Sequence, residues 1–272
     1  MRIFLTGGRG YVGNALAAEF ASCGWEVVMP PSGWRMPESP GVGSFSGVDA
    51  LVHAAWDMRP VGDAASKQTN VEGSRRLVEA AVAGGVRKLI FVSSMSAFEG
   101  CVSVYGRRKC DVERIFHELG GVAVRPGLVF GDSPGGMVGK LQGLGAKLPM
   151  IPLPCANAAQ FLVHERDLAK YVAWAVEAAD VPRVCSVAHS VPLTMRQIVR
   201  LLASRNGRNP LIVGIPWQIA YAGLKTAQML GLPLPVTSDN LLGLARANPA
   251  PDFRPLSDSR IVIREFDPKL AR

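Results

Sequence analysis

The chain has 272 residues, of which 48% are apolar and 19% are charged, a composition that excludes an intrinsically disordered protein. Its net charge of +8 comes from 30 basic and 22 acidic residues, and the longest basic run is Arg107-Arg108-Lys109 with no interleaved aromatic residues. This pattern favours an anionic small molecule as the partner and argues against nucleic acid. Five scattered cysteines and four dispersed histidines predict no disulfide framework and no metal site, in keeping with a reducing cytoplasm.

Nothing in the sequence predicts a membrane partner. The amino-terminal apolar run reaches glycine at residue 7, too soon for a signal-peptide core. The longest apolar stretch, residues 211–224, contains Gln218 and ends at Lys225. It is shorter than the ~20 apolar residues that a spanning helix needs. We therefore expect a soluble, cytoplasmic protein.

In the first half of the chain, short β-rich runs alternate with helical patterns. The predicted strands are 2–6, 26–29, 50–53, 88–92 and 122–125, and the predicted helices are 14–22, 65–83 and 105–118. Residues 30–47 are rich in Pro, Gly and Ser and indicate a loop, with at most a short strand near Val42. Such alternation is typical of an α/β fold with a doubly wound parallel sheet of the Rossmann type.

Beyond residue 131 the alternation becomes less regular. Residues 163–178 and 194–203 are predicted as helices or helix-containing segments, and residues 210–235 as an apolar helix broken by prolines. We place a domain boundary here, so that residues 1–131 form a nucleotide-binding domain. Residues 132–272 form a small carboxy-terminal substrate-binding lobe, part of which is expected to return to the sheet.

The segment Thr6-Gly7-Gly8-Arg9-Gly10-Tyr11-Val12-Gly13 follows the first predicted strand and opens the first helix. In this context Gly7, Gly10 and Gly13 allow a tight turn, close approach of the backbone to a pyrophosphate, and close packing of helix on strand. The N–H groups that begin the helix favour an anion. We therefore predict a dinucleotide site that includes Arg9, Tyr11 and Val12.

The end of the second strand indicates which dinucleotide is bound. Specificity for NAD usually requires a carboxylate there, whereas this chain has no acid between Met29 and Glu38. Arg9 and Arg35 are candidates to bind a ribose 2′-phosphate, with Ser32 adding a hydroxyl. We predict a preference for NADP(H); NAD(H), with both arginines as ordinary surface residues, is the alternative.

Tyr105 and Lys109 are four residues apart on a predicted helix and therefore share one face. An ammonium close to a phenol favours the phenolate and lowers its pKa, which would make Tyr105 an acid/base group near neutral pH. The preceding strand ends in Ser93-Ser94, and a hydroxyl from it can donate to the same substrate oxygen. Tyr105, Lys109 and a serine hydroxyl from this strand end together suit hydride transfer at a carbinol or carbonyl carbon.

Together these motifs resemble the extended short-chain dehydrogenases/reductases of the NAD-dependent epimerase/dehydratase family. The motifs that carry the resemblance are TGGRGYVG (6–13), HAA (53–55), NVEG (70–73), SS (93–94), YGRRK (105–109), RPGLVFG (125–131) and, more loosely, FLVHERDLA (161–169).

The resemblance implies a role for each matching residue. Tyr105 would be the acid/base, Lys109 its cofactor-binding partner and Ser94 the polarising hydroxyl, with Ser93 and Ser96 as alternatives to Ser94. The residues expected beside the cofactor are His53, Ala54, Ala55 and Asn70, with Pro126 and Gly127 on the nicotinamide side.

The sequence also departs from the family. Ser94 and Tyr105 are closer in the chain than is usual for the nucleotide-sugar enzymes, so the substrate loop is trimmed. Met95-Ser96 stand where the sugar dehydratases carry an Asp-Glu pair, which disfavours dehydration. The segment before Asp49 is also short, so the usual acidic contact to adenine is in doubt.

Three functions therefore stay open. The first is epimerisation or oxidoreduction of a nucleotide-diphosphate sugar, and the second is NADPH-dependent reduction of a small ketone or aldehyde. The third is a non-catalytic NADP(H)-binding sensor. The resemblance also implies a homodimer that pairs the helices predicted at 65–83 and 105–118.

Overall fold

The computed structural model describes residues 1–59, 62–132, 135–232, 236–248 and 250–271, with only the backbone described at 144–147. The last part of the helix predicted at 210–235, residues 233–235, lies outside these ranges. Within them, no helix is both long and apolar enough to cross a bilayer.

The strands are β1 (Arg2–Thr6), β2 (Glu26–Val28), β3 (Ala50–His53), β4 (Lys88–Val92), β5 (Val122–Pro126), β6 (Leu128–Phe130), β7 (Met150–Pro154), β8 (Ala159–Gln160), β9 (Leu162–His164), β10 (Val184–Val187), β11 (Leu193–Thr194) and β12 (Leu211–Ile215). Six of them form one parallel sheet in the order β10-β5-β4-β3-β1-β2. The other six pair two by two, β6 with β9, β7 with β12 and β8 with β11.

The helices are α1 (Tyr11–Ser22), α2 (Asp63–Ser66), α3 (Glu72–Ala83), α4 (Val104–Glu118), α5 (Gly136–Lys147), α6 (Glu165–Glu177), α7 (Met195–Ser204), α8 (Trp217–Met229) and α9 (Ser238–Ala245). A wide π-type turn, Lys67–Val71, joins α2 to α3.

Apolar side chains cover both faces of the large sheet. Ile3 and Leu5 of β1 pack with Leu16 and Phe20 of α1 on one face. Phe4, between them in sequence, packs on the other face in the cluster that contains residues of α3 and α4. Because alternate side chains of a strand point to opposite faces, a strand buried on both sides is apolar at nearly every position. The result is the Rossmann-like α/β/α arrangement that the sequence predicts.

Some predicted elements differ from the structure. The helix predicted at 65–83 is divided into α2, the π-type turn and α3. The helix-containing segment predicted at 163–178 holds α6, which begins at Glu165 because residues 162–164 form β9. Residues 211–215 form β12, not helix. Near Val42 the loop contains a short 3₁₀ helix, Val42–Phe45, where a short strand was the most that the sequence predicted.

The order of the sheet fixes where a ligand can bind. After β1 the chain adds β2 on one side and β3, β4 and β5 on the other. The crevice at such a reversal, beyond the carboxyl ends of the strands, is the usual binding position in an open α/β sheet. Thr6, His53 and Val92 end β1, β3 and β4 at this edge.

Candidate active site

The turn between β1 and α1 depends on its glycines. Gly7 has a φ of +71°, in the left-handed region that favours glycine. A Cβ on Gly13 would lie 1.9 Å from the carbonyl oxygen of Gly7. Gly10 is the N-cap of α1, where no side chain forms a capping hydrogen bond. The N–H groups in the first turn of α1 are therefore available to an anion such as a phosphate.

A cavity of about 490 Å³ opens beside this turn. Seven of the predicted cofactor-binding residues line it, namely Gly7, Arg9, Gly10, Ser32, Arg35, Ala54 and Ala55. The sequence analysis missed Trp34, Trp56, Asp57 and Arg59, which also line it. The cavity thus joins the glycine turn to the segments that follow β2 and β3, as an extended dinucleotide requires.

Three arginines and one carboxylate set the charge of the cavity. Arg59 forms an ion pair with Asp57 at 2.5 Å, and its hydrogen bonds lower the pKa of that carboxyl. Arg9 donates to the carbonyl oxygen of Pro30 at 3.3 Å, and Arg35 donates to that of Trp34 at 3.1 Å. Since Asp57 is engaged by Arg59, the guanidinium groups of Arg9 and Arg35 give the lining a net positive charge.

Tyr105 lies in the first turn of α4, and Ser94 is close enough to it to lower the pKa of its phenol. The neighbouring Ser93 hydroxyl is instead directed at Glu113, to which it donates at 2.5 Å. The backbone N–H of Ser96 donates to Ser94 Oγ at 3.1 Å, which orients this hydroxyl. Burial raises the pKa of Tyr105, and the neighbouring Ser94 offsets only part of that rise. Of the three serines considered, Ser94 is the one that the structure brings to Tyr105.

Lys109 is almost fully buried one turn further along α4. Its Nζ donates to the carbonyl oxygen of Val92 at 2.9 Å and lies 4.5 Å from the ring centroid of Phe91. Burial lowers its pKa to about 7, although Glu113 acts in the opposite direction. Lys109 does not line the cavity. An ammonium has three donors, so the bond to Val92 fixes the position of Nζ without using all of them.

Trp56 connects the cavity to the Tyr105–Lys109 pair. It lines the cavity, its ring meets that of Tyr105 edge-on at 5.7 Å, and Nζ of Lys109 lies 4.1 Å from its centroid. The signal that could have identified it is its position directly after the His53-Ala54-Ala55 strand end. Trp56 thus contacts both the cavity and the Tyr105–Lys109 pair.

His53 lies behind the cavity and not on its lining. Its ring is fully buried and is hydrogen-bonded to the hydroxyls of Thr6 at 2.6 Å and Ser74 at 2.9 Å. Burial lowers its pKa to about 3, and the charge of Lys109 acts in the same direction. His53 is therefore neutral at physiological pH and supports the strand ends from within the core.

Asn70 is also buried, and it holds the segment that follows β3. Its Oδ1 accepts the backbone N–H of Asp57 at 2.8 Å, and its Nδ2 donates to the carbonyl oxygen of Asp57 at 2.9 Å. Through this pair of bonds Asn70 fixes the backbone next to Trp56. Its contact to the cavity is therefore indirect.

The other predicted cofactor residues surround the turn and the end of β5. Burial raises the pKa of the Tyr11 phenol, and the nearby carboxylate of Glu165 raises it further; Val12 packs against the core. At the end of β5, the carbonyl oxygen of Pro126 accepts the N–H of Met95 at 3.0 Å, which places it next to the Ser94 segment. A Cβ on Gly127 would lie 2.3 Å from the carbonyl oxygen of Phe161, so this close approach requires glycine.

A carboxylate of α9 caps the helix that carries Tyr105. Asp239 of α9 accepts the backbone N–H of Val104 at 2.7 Å and that of Tyr105 at 3.0 Å. Ser103, the N-cap residue, accepts the N–H of Gly106 at 3.1 Å. The sequence analysis did not identify Asp239, because it lies 134 residues from Tyr105 in the chain.

Comparison with known families gives one match that covers most of the chain. The sequence profile of the NAD dependent epimerase/dehydratase family matches residues 3–188. Among curated proteins, a ceramide reductase of Caulobacter vibrioides is 27% identical over 243 residues, which is 79% of this chain and 73% of that protein. An uncharacterised protein of Mycobacterium tuberculosis is 28% identical over 183 residues, 61% of this chain but only 19% of its own length.

Solved structures show the same fold at low sequence identity. The UDP-glucose 4-epimerase of Thermus thermophilus, in complex with NAD, superposes with a TM-score of 0.64 at 18% identity and covers 90% of this chain and 97% of its own. RMD of Pseudomonas aeruginosa, complexed with NADPH, has a TM-score of 0.66 at 18% identity, with 89% and 97% covered. At this identity the likeness shows the fold.

Proposed function

Since this chain belongs to the NAD-dependent epimerase/dehydratase family, we propose that it is an oxidoreductase that transfers a hydride at a hydroxyl or keto carbon, with Tyr105 as the acid/base. The observation that carries this proposal is the approach of Ser94 to Tyr105, close enough to lower the pKa of the phenol, beside a cavity that opens at the glycine turn. A polarising hydroxyl next to a phenol is the pair of groups that a carbonyl oxygen needs when it gains a proton.

Different residues of the chain bind the cofactor and orient the substrate in this proposed reaction. The glycine turn and the first turn of α1 bind the pyrophosphate, and Ser94 orients the substrate oxygen towards Tyr105. The bound nicotinamide dinucleotide supplies or accepts the hydride. Lys109, held on the carbonyl oxygen of Val92, would offer its remaining donors to the cofactor ribose. Pro126 and Gly127 lie on the nicotinamide side of this arrangement.

For the cofactor we propose NADP(H) in preference to NAD(H). The backbone of Gly7 lines the cavity without a side chain, which fits the close approach of a pyrophosphate. Arg9, Ser32 and Arg35 line the adenosine end together. A 2′-phosphate suits two guanidinium groups better than a ribose hydroxyl does, because charge-assisted hydrogen bonds are the stronger ones.

Two classes of substrate remain, and a different observation favours each. UDP-glucose is bound in two fold neighbours, the UDP-glucose 4-epimerase of Thermotoga maritima and MoeE5, which favours a nucleotide-diphosphate sugar. The likeness to a ceramide reductase, over 79% of this chain, favours reduction of a ketone or aldehyde. The raised pKa of Tyr105 also favours reduction, since a phenol that keeps its proton at neutral pH acts as the acid in that direction.

We also propose that the protein is a homodimer that pairs α3 and α4 of each copy. Between these helices lies a groove lined by charges of both signs, which two-fold pairing can match with the same groove of a second copy. The residues with ionisable side chains in this groove are Lys67, Glu72, Arg75, Arg108, Asp111, Arg114 and Glu118.

Replacing Tyr105 by Phe tests the proposed chemistry. The variant loses only the hydroxyl, so we expect NADPH binding, followed by cofactor fluorescence, to stay within about twofold of wild type. We expect kcat with a carbonyl substrate to fall by about 10²- to 10⁴-fold, the usual contribution of an acid/base group. Tyr221→Phe, on α8 outside the site, is the control and should keep wild-type turnover. Equal turnover in wild type and Tyr105→Phe would refute the mechanism.

A further inference from the structure

Two cysteines lie in contact beside the helix that carries Tyr105. The Sγ atoms of Cys101 and Cys110 are 3.9 Å apart, although the two residues are nine positions apart in the chain. Cys101 lies in the loop between β4 and α4, and Cys110 lies on α4 directly after Lys109. Among the residues that the structure describes, no third ligand joins them in a group that could hold a metal ion. The chemistry open to two adjoining thiols is a bond between them.

Both thiols can be reached from the solvent. Each is partly exposed, whereas Cys185 is buried in the core. The thiol of Cys110 also donates to the carbonyl oxygen of Phe98 at 3.8 Å, so it already faces the loop that carries Cys101. Because a disulfide has an S–S length of ~2.0 Å, the two sulfurs have to approach each other by about 2 Å.

The loop is the part that has room to make this movement. Cys110 lies well inside α4, where the helical hydrogen bonds hold its backbone on both sides. Cys101 lies in a turn that is closed by a hydrogen bond from its N–H to the carbonyl oxygen of Phe98, at 3.1 Å. A Cβ on Gly100, the residue before it, would meet nothing within 4 Å. Cys101 can therefore shift towards Cys110 without displacing a packed neighbour at Gly100.

The same loop holds the polarising hydroxyl at one end and begins α4 at the other. Near its start, the N–H of Ser96 donates to Ser94 Oγ at 3.1 Å. At its end, Ser103 accepts the N–H of Gly106 at 3.1 Å as the N-cap of α4. The loop also packs tightly on the helix, since a Cβ on Gly106 would lie 2.3 Å from the carbonyl oxygen of Ser96 and 3.2 Å from Sγ of Cys101. A displacement of Cys101 would therefore reach both Ser94 and the first turn of α4.

We propose that Cys101 and Cys110 form a reversible disulfide that switches off turnover when the protein meets a small disulfide oxidant such as oxidised glutathione. Disulfides in proteins of a reducing compartment are usually transient or redox-sensing. The sequence analysis predicts no disulfide framework, and a reversible bond between two partly exposed thiols is not part of one. Formation of the bond does not rest on the proposed hydride transfer, whereas its effect on turnover does.

The bond forms by two thiol–disulfide exchanges. Burial and the neighbouring Cys101 raise the pKa of Cys110, so the Cys101 thiolate attacks first. It breaks the S–S bond of oxidised glutathione, forms a mixed disulfide and releases one glutathione. The mixed disulfide carries no charge that opposes ionisation of Cys110, whose thiolate then attacks the Cys101 sulfur and releases the second glutathione. The two protein thiols are oxidised, the glutathione disulfide is reduced, and its two sulfurs take up the two protons.

The test treats the whole chain with oxidised glutathione and assigns the state of every cysteine by alkylation and mass spectrometry. In wild type we expect Cys101 and Cys110 to become joined. We expect kcat with a carbonyl substrate to fall by at least about tenfold, because a small misplacement of reacting groups is enough for such a loss. NADPH binding should be unchanged, since other segments line the cavity, and dithiothreitol should restore kcat.

Three single variants identify the thiols that matter, and each should have wild-type kcat before treatment. Cys101→Ser removes the thiol that attacks first, so its kcat should survive the treatment. Cys110→Ser removes the thiol that closes the bond, so the reaction should stop at a mixed disulfide on Cys101. Cys23→Ser is the matched control: Cys23 is exposed at the C-cap of α1, and this variant should form the link and lose kcat as wild type does.

Three outcomes would overturn the proposal: treated wild type contains no link between Cys101 and Cys110, linked protein keeps its kcat, or Cys101→Ser loses kcat on treatment as wild type does. Mass spectrometry detects the link without any turnover. A reduced wild type that turns over no carbonyl substrate would contradict the proposed function, and with it the effect of the bond on turnover. Absence of the link in protein that turns over normally would contradict the disulfide alone, so the two failures are distinguishable.

Discussion

Burial shifts the two ionisable groups of the candidate active site away from their charged forms. It raises the pKa of Tyr105 and lowers that of Lys109 to about 7. The proximity of Lys109 on one helix face predicted a lowered pKa for the Tyr105 phenol. Desolvation outweighs that effect, because Tyr105 packs against Trp56 and Lys109 is buried against Trp56 and Phe91. The site therefore starts with a protonated phenol, the form that a reductase uses as its acid.

Arg35 provides the sharpest test of cofactor preference. Removing its guanidinium in Arg35→Ala should weaken NADPH binding by about 10- to 100-fold, the loss of one charge-assisted hydrogen bond. NADH binding should change by less than about twofold, since NADH carries no 2′-phosphate. Calorimetric titration measures both. Arg254→Ala, at an exposed ion pair with Asp252, is the control, and an equal loss for the two cofactors would contradict the assignment.

His53 should make the fold sensitive to acid. Its pKa is about 3 in the folded protein, against an ordinary value of 6.5, so the unfolded chain binds a proton first as the pH falls through 6.5. The stability that the neutral ring contributes is thus present above pH 6.5 and is lost below it, by up to about 1.4 kcal/mol per pH unit.

Urea unfolding of wild type and His53→Gln at pH 7 and pH 5 measures this dependence. We expect the free energy of unfolding to fall more steeply with decreasing pH in wild type than in the variant. His189→Gln, at a histidine outside the core, should retain the wild-type slope. Parallel slopes for wild type and His53→Gln would show that His53 is not the source of the acid sensitivity.

Residue patterns predicted the glycine turn, but the choice among Ser93, Ser94 and Ser96 needed the structure. Neighbouring side chains at a strand end point in different directions, so an uncertainty of one residue in where the strand ends changes which serine faces Tyr105. Trp56 and the Asp57–Arg59 pair were missed because their position depends on how the chain leaves β3, which no motif encodes.

At the scale of elements, the capping of α4 by Asp239 links the two parts of the chain. Asp239→Ala leaves two N–H groups without their acceptor at the start of the catalytic helix. We expect a loss of about 1–2 kcal/mol in the free energy of unfolding and about a tenfold fall in kcat, because Tyr105 is less well held.

The kinetic parameters distinguish positioning from simple loss of stability. KM for the cofactor should change little in Asp239→Ala, since the cavity is formed by other elements. Asp239→Asn keeps one acceptor oxygen and should recover part of kcat. If both variants have the wild-type kcat, Asp239 has no role in positioning Tyr105.

Elements of the first half of the chain were largely predictable, whereas residues 211–215 in the second half were assigned wrongly. β3 and β4 have the predicted bounds, because short apolar runs between helical patterns indicate buried parallel strands. Residues 211–215 are an equally short apolar run followed by a long helical one, and periodicity alone cannot separate strand from helix in such a run. It is the pairing of residues 211–215 with β7 that makes them a strand.

At the scale of the molecule, the site is assembled from contacts that are distant in sequence. The reversal of strand order at β1 places the ends of β1, β3 and β4 next to one another, which the βα alternation predicts. The approach of α9 to α4 was not predictable, because no local pattern specifies which helix packs on another 134 residues away.

The most direct test of the whole account is a crystal structure of the complex with NADP⁺. We expect the pyrophosphate on the N–H groups at the Gly7–Gly10 turn and the nicotinamide ring beside the Tyr105 hydroxyl. Lys109 should contact the adjoining ribose. A nicotinamide ring bound away from Tyr105, or kept out by the indole of Trp56, would contradict the proposed hydride transfer.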